Sequence, residues 1–239
     1  MTTITDEQCE TFIFTHDQHL IMEFEENNKF LLKKYRYVFL GQNPIDKTID
    51  DEKIIIARDY EDNLEDYPLF SSYTGWYLLW KHNLITTKYI NLFEYDTILR
   101  PDIEQTQSYI FNDYDPDMIG HVPMSTSHYH FIMNNNWVEH IFPAIKTVYK
   151  FDIEQQLKIM IAKDPNLLWS STSNTTFKKE VFEEYMEWFY PLVPFLKDTR
   201  TAGHAHERSI SFFYLTKKKR IILTDSFLQH RQMNSHKTS

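Results

Sequence analysis

The segment Tyr89–Asp96 (YINLFEYD) joins a mostly apolar run directly to the acidic tripeptide Glu94-Tyr95-Asp96. Apolar runs of this length that end abruptly in polar residues are typical of a buried β-strand. Successive side chains of an extended chain alternate in direction, so Glu94 and Asp96 are predicted to lie on the same side. Two carboxylates at a strand end suit a hard divalent cation that completes its shell with phosphate oxygens, although structural ExD pairs are common.

Three segments upstream have the same strand-like character. They are Thr11–Thr15 (TFIFT), Tyr37–Leu40 (YVFL) and Lys53–Ala57 (KIIIA). Apolar residues recur at helical spacing between the strands, at Leu20–Lys34 and Ser71–His82. Strands that alternate with helices indicate βα units and a mainly parallel sheet covered on both faces. Ligands of such sheets bind at the carboxyl ends of the strands, so the polar residues after the first, third and fourth strands are predicted to share one rim.

The second half of the chain is less regular. It is predicted to form helices at Pro101–Tyr109, Trp137–Lys150, Asp152–Lys163, Lys178–Phe189 and Ala205–Leu215, strands at Met118–Val122 and Arg220–Leu223, and a polar segment at Ser170–Thr176. No internal repeat or linker divides the chain. We therefore expect one domain.

Composition excludes several classes of protein. Only 4 Gly occur in 239 residues, so a glycine-rich phosphate loop is absent, and the single Cys9 excludes a disulfide framework and a cysteine zinc site. A net charge of −9 argues against a nucleic-acid partner. The sequence shows no apolar run long enough for a transmembrane segment and no signal peptide, which predicts a soluble protein of a reducing compartment, the cytoplasm.

The motifs, taken in order, resemble those of the GT-A group of nucleotide-sugar-dependent glycosyltransferases, and most closely its small capsular-polysaccharide and large-DNA-virus members. The resemblance extends from about Thr11 to Leu228. Glu94 stands where the commonest form of the acidic motif has Asp. The segments that carry the resemblance are FIFTHD (Phe12–Asp17), SSYTGWYLLWKH (Ser71–His82), YINLFEYD (Tyr89–Asp96), NTTFKKEVFEEYMEWFYPL (Asn174–Leu192) and AGHAHERSISFFYL (Ala202–Leu215).

This resemblance implies an α/β fold: a GT-A-like, Rossmann-type, mainly parallel sheet flanked by helices. It implies one domain over residues 1–239, with a nucleotide-binding half at about 10–100 and an acceptor and donor-sugar half at about 101–230. The implied reaction moves a sugar from a UDP- or GDP-sugar to a hydroxyl of a glycan acceptor, in the cytoplasm, or in the host cytoplasm for a viral protein. Mn²⁺ or Mg²⁺ would neutralise the charge that develops on the diphosphate.

The resemblance also assigns roles around the donor. Asp96 is the expected direct metal ligand, Glu94 reaches a ribose hydroxyl or a metal-bound water, and His230 is a candidate third ligand. Tyr73 and Trp76 either stack on the base or pack beneath the sheet. The residues expected to border the nucleoside follow the first and third strands: Thr15, His16, Asp17, Asp59 and Tyr60.

An inverting reaction needs a general base, and Glu207 is the candidate unless it pairs with the neighbouring Arg208. Asp225 is the alternative base. A sugar or acceptor surface is expected at an aromatic residue beside hydroxyl and amide groups, unless that segment is an ordinary polar loop: Trp169, Ser170 and Asn174. The basic run Lys217–Arg220 (KKKR) either holds the diphosphate or forms a solvated turn.

Two other functions fit parts of the sequence. The GHAH motif Gly203–His206 has the GHxH form of metal-dependent phosphoesterases, and His16-Asp17 follows a strand as a metal ligand can, but the GDxxD and GNH[DE] signatures are missing. A non-catalytic module that binds glycans or proteins through exposed aromatic rings needs no metal. The sequence leaves open the donor nucleotide, the sugar, the acceptor, the stereochemical course and the oligomeric state.

Overall fold

A seven-stranded sheet runs through the computed structural model, which describes residues 8–30, 35–45, 51–125, 138–164, 168–170, 172–225 and 227–230. The strands are β1 (Cys9–Thr15), β2 (Tyr35–Phe39), β3 (Ile54–Ile56), β4 (Tyr89–Glu94), β5 (Thr97–Leu99), β6 (Met118–Gly120), β7 (Pro123–Ser125), β8 (Leu168–Ser170), β9 (Thr175–Lys178), β10 (Ile221–Leu223) and β11 (Phe227–His230). The helices are α1 (Gln18–Asn27), α2 (Ser72–Lys81), α3 (Ile103–Tyr114), α4 (Val138–Tyr149), α5 (Ile153–Lys163), α6 (Lys179–Phe189), α7 (Val193–Leu196) and α8 (Ala202–Lys217).

The strand order of the main sheet is β10-β6-β9-β4-β1-β2-β3, and β9 alone among these strands runs against the others. Two small antiparallel pairs, β5–β11 and β7–β8, lie outside it. The prediction of a mainly parallel α/β sheet flanked by helices in one domain is therefore confirmed.

The interior strand β1 is buried on both faces, which explains its apolar run Phe12–Phe14. Phe12 and Phe14 belong to a large core with α2, α4, α6 and α8, whereas Ile13 faces a smaller core with α1 and α3. The side chains alternate between these two cores because successive residues of a strand point to opposite faces. Each core is closed by helices on its own side of the sheet, so β1 has no solvent face.

Helix α2 lies unusually close to β1. A Cβ atom built on Gly75 would stand 2.4 Å from Cδ1 of Phe14, so only glycine allows this approach. The same helix buries Trp76, whose ring meets Phe177 and His206 edge-on. Ser71, just before the helix, has a φ of 52°, a left-handed conformation that costs free energy for a residue with a side chain.

The parallel register brings the ends of β1, β2 and β4 to one rim of the sheet. Phe14 lies opposite Glu94, and Thr15 lies opposite Phe39. Because β9 runs the other way, the residues that precede it enter at this rim, with Thr175 opposite Leu92. The loops after three parallel strands and the loop before the antiparallel strand therefore converge on the same place.

One helix boundary differs from the prediction for an identifiable reason. Helix α1 was predicted to continue to Lys34, but the structure ends it at Asn27, where buried Asn28 binds the chain to β5. The Asn28 side chain donates to the carbonyls of Phe24 and Thr97 and accepts from the N–H of Leu99. Within the described residues, no helix is both long and apolar enough to cross a membrane.

Candidate active site at the carboxyl rim of the sheet

An acidic cavity of about 260 Å³ opens where the loops converge. Three carboxylates line it, and among the described residues its lining includes no lysine or arginine. One carboxylate ends β4, one follows it, and one comes from the first turns of α8. The lining residues are His16, Ser71, Glu94, Tyr95, Asp96, Thr172, Ser173 and Glu207.

Glu94 is held from two sides. Its backbone N–H donates to Oδ1 of Asn174 at 2.8 Å, and its carboxylate accepts from the Ser173 hydroxyl. Ser72 lies next in this chain of hydroxyls, 3.4 Å from Ser173 between the two Oγ atoms. The rim of β4 and the segment before β9 therefore fix both the position and the direction of this carboxylate.

Burial raises the pKa of Glu94 from 4.5 to about 7. The negative charges of Asp96 and Glu207 act in the same direction, while the hydroxyl bonds from Ser173 and Ser72 partly oppose them. Near neutral pH this side chain therefore exchanges between its neutral and charged forms. A cation in the cavity would favour the charged form.

Asp96 follows β4 and precedes the short strand β5. It is buried, with 7% of its surface exposed, and it lines the acidic cavity. The prediction that Glu94 and Asp96 address one space therefore agrees with the geometry. The backbone of His230, the predicted third ligand, pairs with Thr97 in the β5–β11 ribbon, one residue from Asp96. The side chain of His230 lies outside the described part of the structure.

Glu207, the predicted base, reaches the same cavity from α8. Its Oε2 also accepts from Nη1 of Arg208, so the ion pair that the sequence allowed is present. The pairing leaves the carboxylate at the cavity wall, with 28% of the side chain exposed. The alternative base, Asp225, is exposed just after β10 and lines neither of the two cavities described here.

A side cavity of about 250 Å³ adjoins the acidic cavity, with which it shares His16 and Ser71. Its lining is mostly apolar and contains one carboxylate, that of Glu65. The lining residues are His16, Leu40, Gly41, Glu65, Pro68, Ser71 and Thr74. His16 stands between the two spaces and meets Tyr95 edge-on at a ring distance of 5.3 Å.

Most of the residues predicted to border a nucleoside do not line either cavity. Thr15 is buried, and its hydroxyl bonds the backbone of Asp17. Asp17 in turn caps α1 by accepting from the N–H of His19. Asp59 is exposed, and Tyr60 packs against His82. Of this group only His16 lies at the two cavities; Thr15 and Asp17 serve the local fold, and the roles of Asp59 and Tyr60 stay predictions.

Four aromatic and polar residues predicted to contact base or sugar lie in the interior. Tyr73 and Trp76 are fully buried, so of the two roles predicted for them the structure supports packing. Trp169 is only 7% exposed and belongs to the main core, and Ser170 is fully buried. Neither offers an open face to a sugar, which corrects that prediction.

Asn174 has a different role from the one predicted. It is fully buried, and its side chain positions Glu94 instead of meeting a sugar. No pattern in the sequence indicates this role, because a polar segment with hydroxyl and amide groups fits a sugar site equally well. Thr172 and Ser173, in the same segment, do line the acidic cavity and were not singled out.

The GHAH motif Gly203–His206 has a structural role. His206 of the GHAH motif is fully buried among Tyr73, Trp76 and Phe189, and burial lowers its pKa to about 3. The glycine of that motif, Gly203, allows close contact, since a Cβ there would lie 3.1 Å from the carbonyl oxygen of Leu69. These positions do not support a phosphoesterase centre.

The basic run Lys217–Arg220 lies away from the cavities. Arg220 donates its N–H to Asp117 before β6 and β10 begin, which is the rim opposite Glu94. Lys219 pairs with Glu184. The run therefore lies too far from the cavities to hold a diphosphate there, and Lys219 serves as a local ion-pair partner.

The acidic cavity suits a divalent cation by its chemistry. Carboxylate oxygens are the ligands that Mn²⁺ and Mg²⁺ favour, and repulsion among the carboxylates would fall when a cation binds. However, within the described ranges, no group of three or more His, Cys, Asp or Glu residues is arranged to hold a metal ion.

The fold of this chain is a mainly parallel α/β sheet flanked by helices. The chain is similar in structure to WbbM, a bifunctional glycosyltransferase solved in its apo form, with a TM-score of 0.64 and 12% sequence identity. The similarity covers 92% of this chain and 45% of WbbM, so the chain spans less than half of that protein. No family model and no curated protein matches the chain.

Proposed function

We propose that this protein is a metal-dependent glycosyltransferase of the GT-A type. It moves a sugar from a nucleoside-diphosphate sugar, UDP- or GDP-linked, to a hydroxyl group of a glycan acceptor. We place this reaction in the cytoplasm, the host's in the case of a viral protein. The glycosyltransferase-like fold supports the general class of reaction.

The observation that carries this proposal is the meeting of Glu94, Asp96 and Glu207 in one cavity at the carboxyl rim of the parallel sheet. A space lined by carboxylates repels a free diphosphate, but it accepts one together with a divalent cation. Glu94 and Asp96 would hold Mn²⁺ or Mg²⁺, with the donor's phosphate oxygens completing the shell. When bound, the cation supplies charge stabilisation for the leaving diphosphate.

The protein's own groups divide the remaining work. Ser173 and Asn174 fix Glu94 so that its carboxylate faces the cavity, which lowers the cost of ordering it when the donor binds. Glu207 is the proposed base that takes the proton from the acceptor hydroxyl in an inverting reaction. Arg208 orients that carboxylate from one side and leaves its cavity side available.

Calorimetry tests the proposal directly. The full chain is titrated with UDP- and GDP-sugars, with and without Mn²⁺. We expect binding that needs the metal and is lost in Asp96→Ala, because one of the two carboxylates that face the cation is gone. Asp113→Ala is the matched control, since Asp113 is an exposed carboxylate on α3 outside both cavities. Binding that survives Asp96→Ala would contradict the metal role.

The same titrations separate the other functions. A glycan-binding module would bind a glycan equally well in EDTA and would ignore the nucleotide sugars. A phosphoesterase would hydrolyse an aryl phosphate in the presence of a divalent metal. Either result would replace the proposed transfer reaction.

A further inference from the structure

The side cavity carries a carboxylate that the roles proposed above do not use. Oε2 of Glu65 accepts a hydrogen bond from the N–H of Gly41 at 2.6 Å. Its Oε1 is shielded from water and accepts no hydrogen bond from any described residue. A buried acceptor without a donor costs free energy, so this carboxylate retains capacity for a ligand's N–H groups.

The position of Glu65 is fixed by the local fold. Its backbone N–H donates to Oδ1 of Asn63, so the Asn63 side chain shapes the loop just before it. Arg58 lies close enough for its charge to lower the pKa of Glu65, against the stronger effect of burial, which raises it. The guanidinium nevertheless donates to the carbonyls of Gly41 and Asn43. Arg58 therefore steadies the cavity wall while Glu65 keeps unused acceptor capacity.

The remaining lining suits a flat ring. Leu40 and Pro68 provide apolar walls, and Ser71 and Thr74 bring hydroxyls that can donate as well as accept. The cavity adjoins the acidic cavity at His16 and Ser71. If a metal-bound diphosphate lies in the acidic cavity, the attached nucleoside can extend into this space.

We propose that the side cavity binds the base of the donor nucleotide and that Glu65 selects guanine, so that the donor is a GDP-sugar. Guanine presents two neighbouring donors, N1–H and the 2-amino group, which match a carboxylate with free acceptor sites. Uracil presents one N–H between two carbonyl oxygens, and a carboxylate repels both of them. This inference rests on the proposed function and adds a nucleotide preference to it.

Calorimetry of the full chain with GDP, IDP and UDP in the presence of Mn²⁺ tests this preference. We expect GDP to bind about tenfold or more tightly than UDP, since a hydrogen bond to a charged group is lost with uracil. IDP lacks the 2-amino group and is expected to bind several-fold more weakly than GDP. UDP that binds as tightly as GDP would overturn the inference.

The matched variants are Glu65→Gln and Glu61→Gln. Glutamine keeps an acceptor for the Gly41 N–H but presents its own N–H₂ to the base, so GDP affinity should fall about tenfold. UDP affinity, which also reports that the variant folds, should change little. Glu61 is exposed in the same loop and lines neither cavity, so its variant should match the wild type. Equal losses for GDP and UDP in Glu65→Gln would contradict selection by this residue.

The outcomes also separate this inference from the function beneath it. If UDP binds in a metal- and Asp96-dependent manner and GDP does not, the guanine preference fails while the glycosyltransferase proposal stands. If no nucleoside diphosphate binds with Mn²⁺, both fail.

Discussion

Replacing Glu94 with Gln should stabilise the metal-free protein above neutral pH. Burial raises the pKa of this carboxyl from 4.5 to about 7, so the folded state holds its proton more tightly than the unfolded chain does. The stability that the proton contributes is complete below pH 4.5, declines as pH rises from there towards 7, and is absent above 7. At 1.36 kcal/mol for each tenfold change in proton affinity, the full effect is about 3 kcal/mol.

The substitution keeps the local contacts while it removes the charge. Glutamine retains an oxygen that can accept from the Ser173 hydroxyl, and the backbone bond from the Glu94 N–H to Asn174 is unaffected. The gain in unfolding free energy should therefore be small at pH 5, grow towards pH 7 and reach a plateau of about 3 kcal/mol at pH 8. Urea denaturation of both proteins across this range measures the difference at each pH.

Mn²⁺ provides the second half of this experiment. A cation that binds the folded state stabilises it, so Mn²⁺ at pH 8 should raise the urea midpoint of the wild type more than that of Glu94→Gln. Glu139→Gln, at an exposed position on α4, is the control and should change neither quantity. The reasoning is refuted if Glu94→Gln is neutral or destabilising at pH 8, because the carboxylate would then carry no penalty in the folded state.

Three further predictions concern buried groups. Burial lowers the pKa of His206 from 6.5 to about 3, so the stability gained by keeping it neutral is lost as pH falls below 6.5. His206→Phe should remove about 2 kcal/mol of this loss at pH 5. Urea denaturation that shows equal acid sensitivity in the variant and the wild type would contradict this prediction. Gly75→Ala should lower the Tm, because crowding against Phe14 costs about 1–3 kcal/mol and exceeds the gain in helix propensity of about 1 kcal/mol. An unchanged or higher Tm would show that the Phe14 ring moves aside freely. Asn174→Ala should lower the free energy of unfolding, measured by urea denaturation, by about 1–3 kcal/mol, since the Glu94 N–H loses its acceptor. It should also weaken metal-dependent donor binding. A variant that is destabilised but binds the donor normally would contradict a positioning role for Asn174.

The parallel part of the sheet was predictable because each of its first strands carries a local signal. Phe12 to Phe14 form an apolar run that must be buried on both faces, and such a run is visible without knowledge of its partners. The antiparallel strand β9 was missed, because it is short and begins with two threonines. Thr176 is compatible with the core only because Asn91, Gln107 and His121 bind its hydroxyl there. Those partners come from distant parts of the chain.

The candidate site, like the sheet, could be predicted from the sequence only in part. Alternation along β4 placed Glu94 and Asp96 on one side, and both line the same cavity. The loop after β3 was more difficult, since it contains five acidic residues between Asp59 and Asp66. Only Glu65 lines a described cavity, where it accepts the N–H of Gly41. Which of the five acidic residues lines the cavity depends on a contact between residues 24 positions apart in the sequence, which composition and spacing do not encode.

The charge balance of the acidic cavity separates a ligand site from a structural cluster. Three carboxylates line it, and one of them, Glu207, pairs with Arg208. A structural carboxylate contributes stability through its partners, so its removal should lower stability and leave ligand binding unchanged. A functional carboxylate held near others of like charge behaves in the opposite way: its removal should stabilise the free protein and abolish binding. Stability and affinity that change in opposite directions in Glu94→Gln would therefore be difficult to explain unless the cavity exists to receive a cation.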